Sequence, residues 1–391
     1  MQRSDLPVPG MQAGAGVVIG WDVGGAHLKA ARWQDGRIDA VLQFACPLWQ
    51  GLGHLDTAID AVCARWPEAA QPRSRHAVTM SGEMTDLFAD REDGVRRIGA
   101  RLRERLPGEL RLYAGPGHWL AVEAGGDAWP QVASANWRAT ASHCAARRRA
   151  GLLVDIGSTT TDLIAFAGGR VLGRSLSDRD RLASGELVYH GVVRTPLCAL
   201  ARRIALQGQE LNVMNEFFAT SADVYRLTGE LDPAHDLHPP ADGAGKSLRE
   251  TQARLARMVG CDVRDAGEAD WLAFARAWRA RQVDLIASQA ARVLAAHRAA
   301  FGAAPPVLVA AGCGAFLLPE LQARLGWPGE RLDYGRDIAG IGDAAVATMA
   351  RVCAPSVAVA ALRAGDTDAD ADEGHDDAMR HHGAQETLRC G

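Results

Sequence analysis

The sequence predicts an α/β protein in two lobes, and three observations carry that reading. An apolar, strand-like run ends on an aspartate and a glycine turn in "VVIGWDVGGAHLKAARW" (17–33), and the pattern returns in "GLLVDIGSTTTDLIAF" (151–166). Each copy reads as a β-hairpin. A third stretch, "PPVLVAAGCGAFLLPEL" (305–321), reads as a buried strand, a Gly-Cys-Gly turn and a helix. With 391 residues and 48% hydrophobic content, the chain is long enough for two cores.

Taken in order, residues 1–15 are expected to form a flexible leader, with Pro and Gly but no apolar stretch of signal-peptide type. Residues 16–138 make the first lobe. It includes an amphipathic helix from Leu52 to Trp66 that sets Leu52, Leu55, Ile59, Val62 and Trp66 on one face. The lobes join near "TASHCAARRRAG". The second lobe, 151–353, carries a largely helical insertion at about 178–300, returns to its sheet at Val307, and closes with "AGIGDAAVATMARV", a helix started by Asp343. Residues 364–391 are charge-dense and too polar to bury a core, so His375, His381 and His382 read as a solvated tail and not as a metal site.

Composition narrows the function. No run approaches the roughly 18 apolar residues of a spanning helix, so no membrane partner is expected and the location reads as cytoplasmic. The eight cysteines have no C-x-x-C spacing, which argues against a zinc cluster or redox pair. A formal net charge of −4, with arginines spread along the chain, argues against nucleic acid. A homo-oligomer stays open. The only lysines are Lys29 and Lys246. Lys246 lies in "ADGAGKS", which imitates the end of a phosphate-binding loop, but Pro240 stands where glycine is needed and no buried strand precedes it.

The hairpins point instead to phosphate. A tight turn brings backbone N–H groups close to phosphate oxygens only if its side chains are small, and a carboxylate just before it can hold hydrated magnesium. The phosphate-binding candidates are Gly24, Gly25, Gly157, Ser158, Thr159 and Thr160, with Gly312 and Gly314 of the third stretch as a contact at a helix start. Asp22 and Asp155 are the candidate Mg2+ ligands. Alternation places Lys29 on the return strand beside Asp22, so the expected partner is a small phosphorylated molecule.

These segments resemble the phosphate 1, phosphate 2, adenosine and connecting motifs of the actin, Hsp70 and sugar kinase superfamily. Within it, "GELVYHGVVRTPLCAL" (185–200) resembles the hydantoinase A and oxoprolinase branch. "TMSGEMTDLFADREDGV" (79–95), "ASANWRATA" (133–141), "VMNEFFATSADVYRLTGEL" (213–231) and "RLARMVGCD" (254–262) are similar to a narrower family. That family comprises the tetrahydromethanopterin-linked C1-transfer pathway proteins of methylotrophs and their archaeal counterparts, synthases of methanofuran biosynthesis. The resemblance implies two ribonuclease H-like lobes around a central cleft, the actin-like ATPase fold. It also implies a transferase that joins an (aminomethyl)furanylmethyl diphosphate to the phenol of a γ-glutamyl-tyramine or tyrosine-like acceptor, releasing diphosphate. Asp22, Lys29 and Asp155 would then serve catalysis.

The acceptor phenol would benefit from a base, for which Glu83, Glu186 and His190 are candidates. Each has an ordinary alternative: Glu83 as the cap of a helix starting at Met84, Glu186 as the cap of a helix through Leu187, His190 as a packed surface residue. An ATP-dependent kinase or hydantoinase-type enzyme would use the same clamp on ATP. A nucleotide-gated binding protein is the non-enzymatic alternative.

Overall fold

The computed structural model describes residues 16–173 and 176–366; the leader and most of the acidic tail lie outside them. Two units divide the chain, one formed by residues up to Asn136 together with those from Pro355, the other by Trp137–Ala354.

In the first unit, β1 (Val18–Val23), β2 (His27–Gln34), β3 (Arg37–Ala45), β4 (Arg75–Met80), β5 (Glu109–Gly115) and β6 (His118–Ala121) form one sheet in the order β3-β2-β1-β4-β5-β6. The central strand β1 is antiparallel to β2, parallel to β4 and buried throughout. Alternation divides its side chains between two faces. Ile19, Trp21 and Val23 join a core with Leu55, Ile59 and Val62 of the helix Gly53–Arg65 and with Val95, Ile98 and Leu102 of the helix Arg91–Arg105. Trp66 is buried just past the first of these helices and Leu52 is half-buried before it. On the other face, Gly20 meets the helix Ala354–Asp366, where a Cβ would stand 2.0 Å from the Ser356 carbonyl oxygen. Glycine is what lets that helix lie on the strand. The run from Val352 to Ala361 is buried, so this part of the chain is core that precedes the acidic tail.

The second unit contains β7 (Ala150–Ile156), β8 (Thr161–Ala167), β9 (Arg170–Val171), β10 (Leu187–Val188), β11 (Arg203–Leu206), β12 (Gln209–Asn212), β13 (Val307–Ala311) and β14 (Glu330–Asp333). Its main sheet runs β10-β8-β7-β13-β14, with β9 on β8. Here β7 is antiparallel to β8 and parallel to β13, and β13 is parallel to β14. The series β8-β7-β13-β14 therefore repeats β2-β1-β4-β5, in which β4 is parallel to β5. The repeat seen in the sequence is a repeat of topology.

The insertion is less helical than expected. Helices span Asp178–Ser184, Ser221–Thr228, Leu248–Arg257 and the long Glu268–Phe301, whose Trp271, Phe274, Trp278 and Ile286 enter the core. Between Gly185 and Thr220, by contrast, the chain adds β10 to the sheet and forms the separate hairpin β11–β12. Gly185, at φ 86°, ends the first helix, and the β-branched Val188, Val192 and Val193 with Pro196 favour extended chain. No single helix among the described residues is long and apolar enough to cross a membrane.

Two buried histidines couple stability to pH. His76 accepts a hydrogen bond from Trp21 Nε1 at 3.1 Å and its Nε2 lies 2.9 Å from the Pro107 carbonyl, which fixes a neutral ring with the proton on Nε2. Burial pulls its pKa down to about 4. His143, beside the Tyr334 hydroxyl at 2.8 Å, is pulled down by burial to about 3. Because the unfolded chain takes up these protons first, near the ordinary pKa of about 6.5, the stabilisation is complete above that pH and falls as pH drops toward the folded values. Melting followed by circular dichroism should show a plateau above about pH 7 and a falling midpoint below 6.5. His76→Gln should shallow that fall, and an unchanged slope would contradict the assignment.

Candidate functional site

At the C-terminal end of β1 the register sets three polar side chains side by side: Lys29 on β2, Asp22 on β1 and Thr79 on β4. Lateral neighbours share a face. Lys29 Nζ lies 3.2 Å from Asp22 Oδ2, with Asp22 only 2% exposed. Asp22 Oδ1 and Thr79 Oγ1 are buried and have no hydrogen-bond partner among the described residues. A buried carboxylate oxygen left bare is costly unless something binds it.

The turn beyond Asp22 is braced by the segment after β4. The Ser81 N–H donates to the Val23 carbonyl at 3.0 Å, and a Cβ on Gly82 would stand 3.2 Å from the Gly24 carbonyl carbon. Next comes Glu83, 1% exposed, which accepts from Ser134 Oγ at 2.8 Å. Gly94 of the helix Arg91–Arg105 packs on it so closely that a Cβ would stand 2.6 Å from the Glu83 carbonyl oxygen. Ser134 has φ 51°. The other non-glycine residues described with positive φ, Asp35 and Gln207, precede glycines in two-residue hairpin turns, whereas Ser134 occupies no such turn. Its strained backbone goes with the bond to Glu83.

In the second unit, residues 190–194 brace the corresponding turn. Val192 N–H donates to the Gly157 carbonyl at 3.0 Å, and the N–H groups of Val193 and Arg194 donate to the Ser158 carbonyl at 3.0 and 2.9 Å. Thr161 Oγ1 donates to the His190 carbonyl at 2.7 Å. A Cβ on Gly191 would come 2.4 Å from the Ser158 carbonyl carbon, so only glycine fits. The Gly191 carbonyl accepts from Thr195 Oγ1, Ser221 Oγ and Gln282 Nε2 at 2.8–2.9 Å. The glycine of "YHGVVRTP" is thus the point where the turn, the insertion and the long helix are tied together.

The lateral neighbours of Asp155 are Asp162 on β8 and Ala311 on β13. Asp162 takes the place that Lys29 holds in the first sheet. Its charge is carried by Arg181, 2% exposed, which also reaches Asp178 at 3.4 Å and lies 4.1 Å from the centre of the Trp137 ring. Burial raises the Asp162 pKa while Arg181 pulls against it.

Several expectations need correction. The amides of Gly24 and Gly157 donate to the carbonyls of His27 and Thr160, 3.0 and 2.8 Å away, closing their own turns. Those of Gly312 and Gly314 donate to Arg351 and Ile156, both at 2.8 Å. Committed amides do not cradle phosphate, so Gly25, Ser158, Thr159 and Thr160 remain as backbone candidates. Gly312 and Gly314 are glycine for packing: a Cβ on Gly312 would stand 2.1 Å from the Ile156 carbonyl oxygen. Beyond them the chain makes a 3₁₀ turn, Ala315–Leu317, and only then a helix of seven residues.

Glu83 lies inside the 3₁₀ turn Gly82–Met84 and caps no α-helix. Glu186, also buried, comes just after the helix that ends at Gly185, and its carbonyl accepts from Leu163 N–H at 2.9 Å. His190 is half-buried, and burial lowers its pKa, so the ring is neutral at pH 7. Lys246 sits 3.1 Å from Oδ1 of the buried Asp236, in a pairing within the insertion. Sequence reasoning missed Thr79, Ser134, Asp162 and Arg181; hairpin register from Asp155 would have flagged Asp162, but nothing local marks the other three.

Among the described residues no three His, Cys, Asp or Glu side chains cluster as a metal site. Magnesium usually keeps several waters and takes one or two carboxylates with substrate phosphates, which suits the bare Oδ1 of Asp22.

The family model for hydantoinase/oxoprolinase matches residues 75–335. A (4-{4-[2-(gamma-L-glutamylamino)ethyl]phenoxymethyl}furan-2-yl)methanamine synthase of Methanocaldococcus jannaschii is 28% identical over 247 residues, 63% of this chain and 72% of the relative. A synthase of the same name from Methanococcus vannielii is 28% identical over 142 residues, 36% of this chain and 64% of the relative. Among solved structures, a ROK family glucokinase from Streptomyces griseus aligns at TM-score 0.39 and 15% identity, covering 89% of this chain and 99% of that one.

Ser134 yields an ordering of variants. Ser134→Ala keeps the left-handed strain and removes the donor to a buried carboxylate, costing about 1–3 kcal/mol. Ser134→Gly loses the same bond but relieves roughly 1–2 kcal/mol of backbone strain. Chemical denaturation should therefore rank wild type above glycine and glycine above alanine. Equal stability of the two variants would remove strain from the account.

Proposed function

The chain belongs to the hydantoinase/oxoprolinase family, and on that premise we propose that it is a diphosphate-releasing ether synthase of methanofuran-type cofactor biosynthesis, in support of tetrahydromethanopterin-linked C1 metabolism. The names of the relatives support the reading, since their product contains a phenoxymethyl-furan, an aryl ether between a phenol oxygen and a furan methylene. The substrates would be an (aminomethyl)furanylmethyl diphosphate and the phenol of a γ-glutamyl-tyramine or tyrosine-like acceptor.

In that reaction the bond between methylene and diphosphate oxygen breaks, its electrons leave with diphosphate, and the phenol oxygen bonds the methylene while its proton passes to a base. Charge grows on the leaving diphosphate. Groups aimed at it stabilise the transition state more than the ground state. The observation that carries the proposal is the row at the end of β1, where Lys29 Nζ sits beside a buried aspartate whose second oxygen is bare. Lys29 would contact the diphosphate directly. Asp22 would hold Mg2+, which when bound supplies charge to neutralise the leaving group; Asp155 is the corresponding candidate ligand of the second unit. In the first unit the Gly25 amide would add an anion contact, and Ser158, Thr159 and Thr160 are the candidate anion contacts of the second.

Of the base candidates, Glu83 and Glu186 are buried and His190 is the one with surface to meet an acceptor. A neutral imidazole can take the phenol proton. Because burial lowers the His190 pKa, activity should persist below pH 6.5 and be lost as pH falls through that lowered value.

The test is ether formation and diphosphate release from the two substrates with magnesium. Lys29→Met should lower turnover of the folded protein at least about tenfold, roughly 1.4 kcal/mol in the barrier, and should also lower the melting temperature because it leaves the buried Asp22 without its counter-ion. Normal turnover in that variant would remove the lysine from the site. Protection of the chain against unfolding by ATP and not by diphosphate would favour an ATP-dependent hydantoinase-type activity instead.

A further inference from the structure

We propose that Thr79 is a ligand-facing residue of the first unit's site, acting with Asp22 to hold one water of a hydrated magnesium–diphosphate; the inference rests on the reading above. Thr79 lies at the C-terminal end of a parallel strand, directly beside Asp22 and fully buried. Its Oγ1 and Asp22 Oδ1 are both bare of protein partners, on the same face of adjacent strands. A hydroxyl and a carboxylate oxygen side by side offer two acceptors, which suits the two protons of a metal-bound water. Magnesium gives up its waters reluctantly, so an outer contact of this kind is its ordinary mode of binding.

The fold itself does not demand a hydroxyl there. In the second sheet the corresponding neighbour of Asp155, on the corresponding parallel strand, is Ala311. The same topology therefore closes around a methyl group. Lys29 occupies the other flank of Asp22 and donates to Oδ2, so the row reads donor, acceptor, acceptor across three strands. Thr79 is a positioning residue in this scheme: it touches a water of the bound ion and not the reacting carbon.

The experiment is thermal protection of the full chain by MgCl2 with inorganic diphosphate, for wild type, Thr79→Val and Thr79→Ser. Valine keeps the shape of threonine on a strand and removes the hydroxyl; serine keeps the hydroxyl. Without ligand, Thr79→Val should melt no lower than wild type, because the hydroxyl it removes bonds nothing in the protein. With ligand, valine should raise the magnesium concentration for half-protection by about tenfold or more, as loss of an outer-shell partner does. Serine should restore binding to near the wild-type value. Wild-type protection that is unchanged in Thr79→Val would overturn the inference and leave the ether-synthase reading standing. A ligand-free Thr79→Val that melts well below wild type would overturn it as well, by showing a structural role. Failure of magnesium and diphosphate to protect the wild type at all would overturn both.

Discussion

A carboxylate buried at the end of a central strand obliges the fold to supply a counter-ion or a ligand, because an uncompensated charge in the interior is costly. The first sheet places Asp22 there, buried, and the second places the half-buried Asp155 at the corresponding position, and their surroundings differ. In the first, Lys29 reaches across from the neighbouring strand and satisfies one oxygen of Asp22. In the second, the neighbour of Asp155 is a second acid, Asp162, whose charge is compensated by Arg181 on the helix Asp178–Ser184, with Asp178 as that arginine's other acid partner. The helix is held in place by that charge as well as by packing, since Arg181 is nearly inaccessible and stacks on Trp137.

At the same ends of the sheets backbone also approaches backbone closely. Gly191 against the second turn and Gly312 against Ile156 stand where a methyl group would collide with main chain, and Gly82 stands in tight contact with the first turn. Main-chain atoms cannot swing aside as a flexible side chain can. These glycines act through fit, and their amides and carbonyls hold the turns rigid instead of facing outward. Glycine content alone would assign all of them to phosphate. The structure divides them, because an N–H already aimed at a carbonyl 2.8–3.0 Å away is committed.

Much of the fold was legible in the sequence. Alternation and turn chemistry gave both hairpins, and counting from Asp22 to Lys29 gave their pairing, because strand register depends on turn length. The strand Val307–Ala311 was also readable as an apolar run. Thr79 was not, since its importance comes from lying beside Asp22 across 57 residues of sequence, and a parallel pairing has no turn to count from. Arg181 looked like one of many helical arginines, because burial of a charged side chain leaves no local mark. Ser134 showed no glycine to announce its positive φ. The helix Ala354–Asp366 was hidden by its neighbour: an alanine-rich run leading into an acidic tail reads as the start of that tail until Gly20 is seen pressed against it.

The two sheets share topology yet have diverged at the positions flanking their carboxylates. Lys29, Asp22 and Thr79 make a row that can both donate and accept, whereas Asp162, Asp155 and Ala311 make an acidic pair beside a methyl group. If the carboxylates served only to terminate their strands, the flanking residues would be free to converge on one compensating solution. Instead one row keeps two bare buried oxygens, and the other brings in a distant arginine to neutralise its second acid. Bare buried oxygens are a standing cost to stability, of the kind that persists where a ligand repays it in use. On that argument the first unit's row is where the proposed ligand contact belongs, while within the second unit the turn beside Asp155 is tied through Gly191 to the insertion and the long helix.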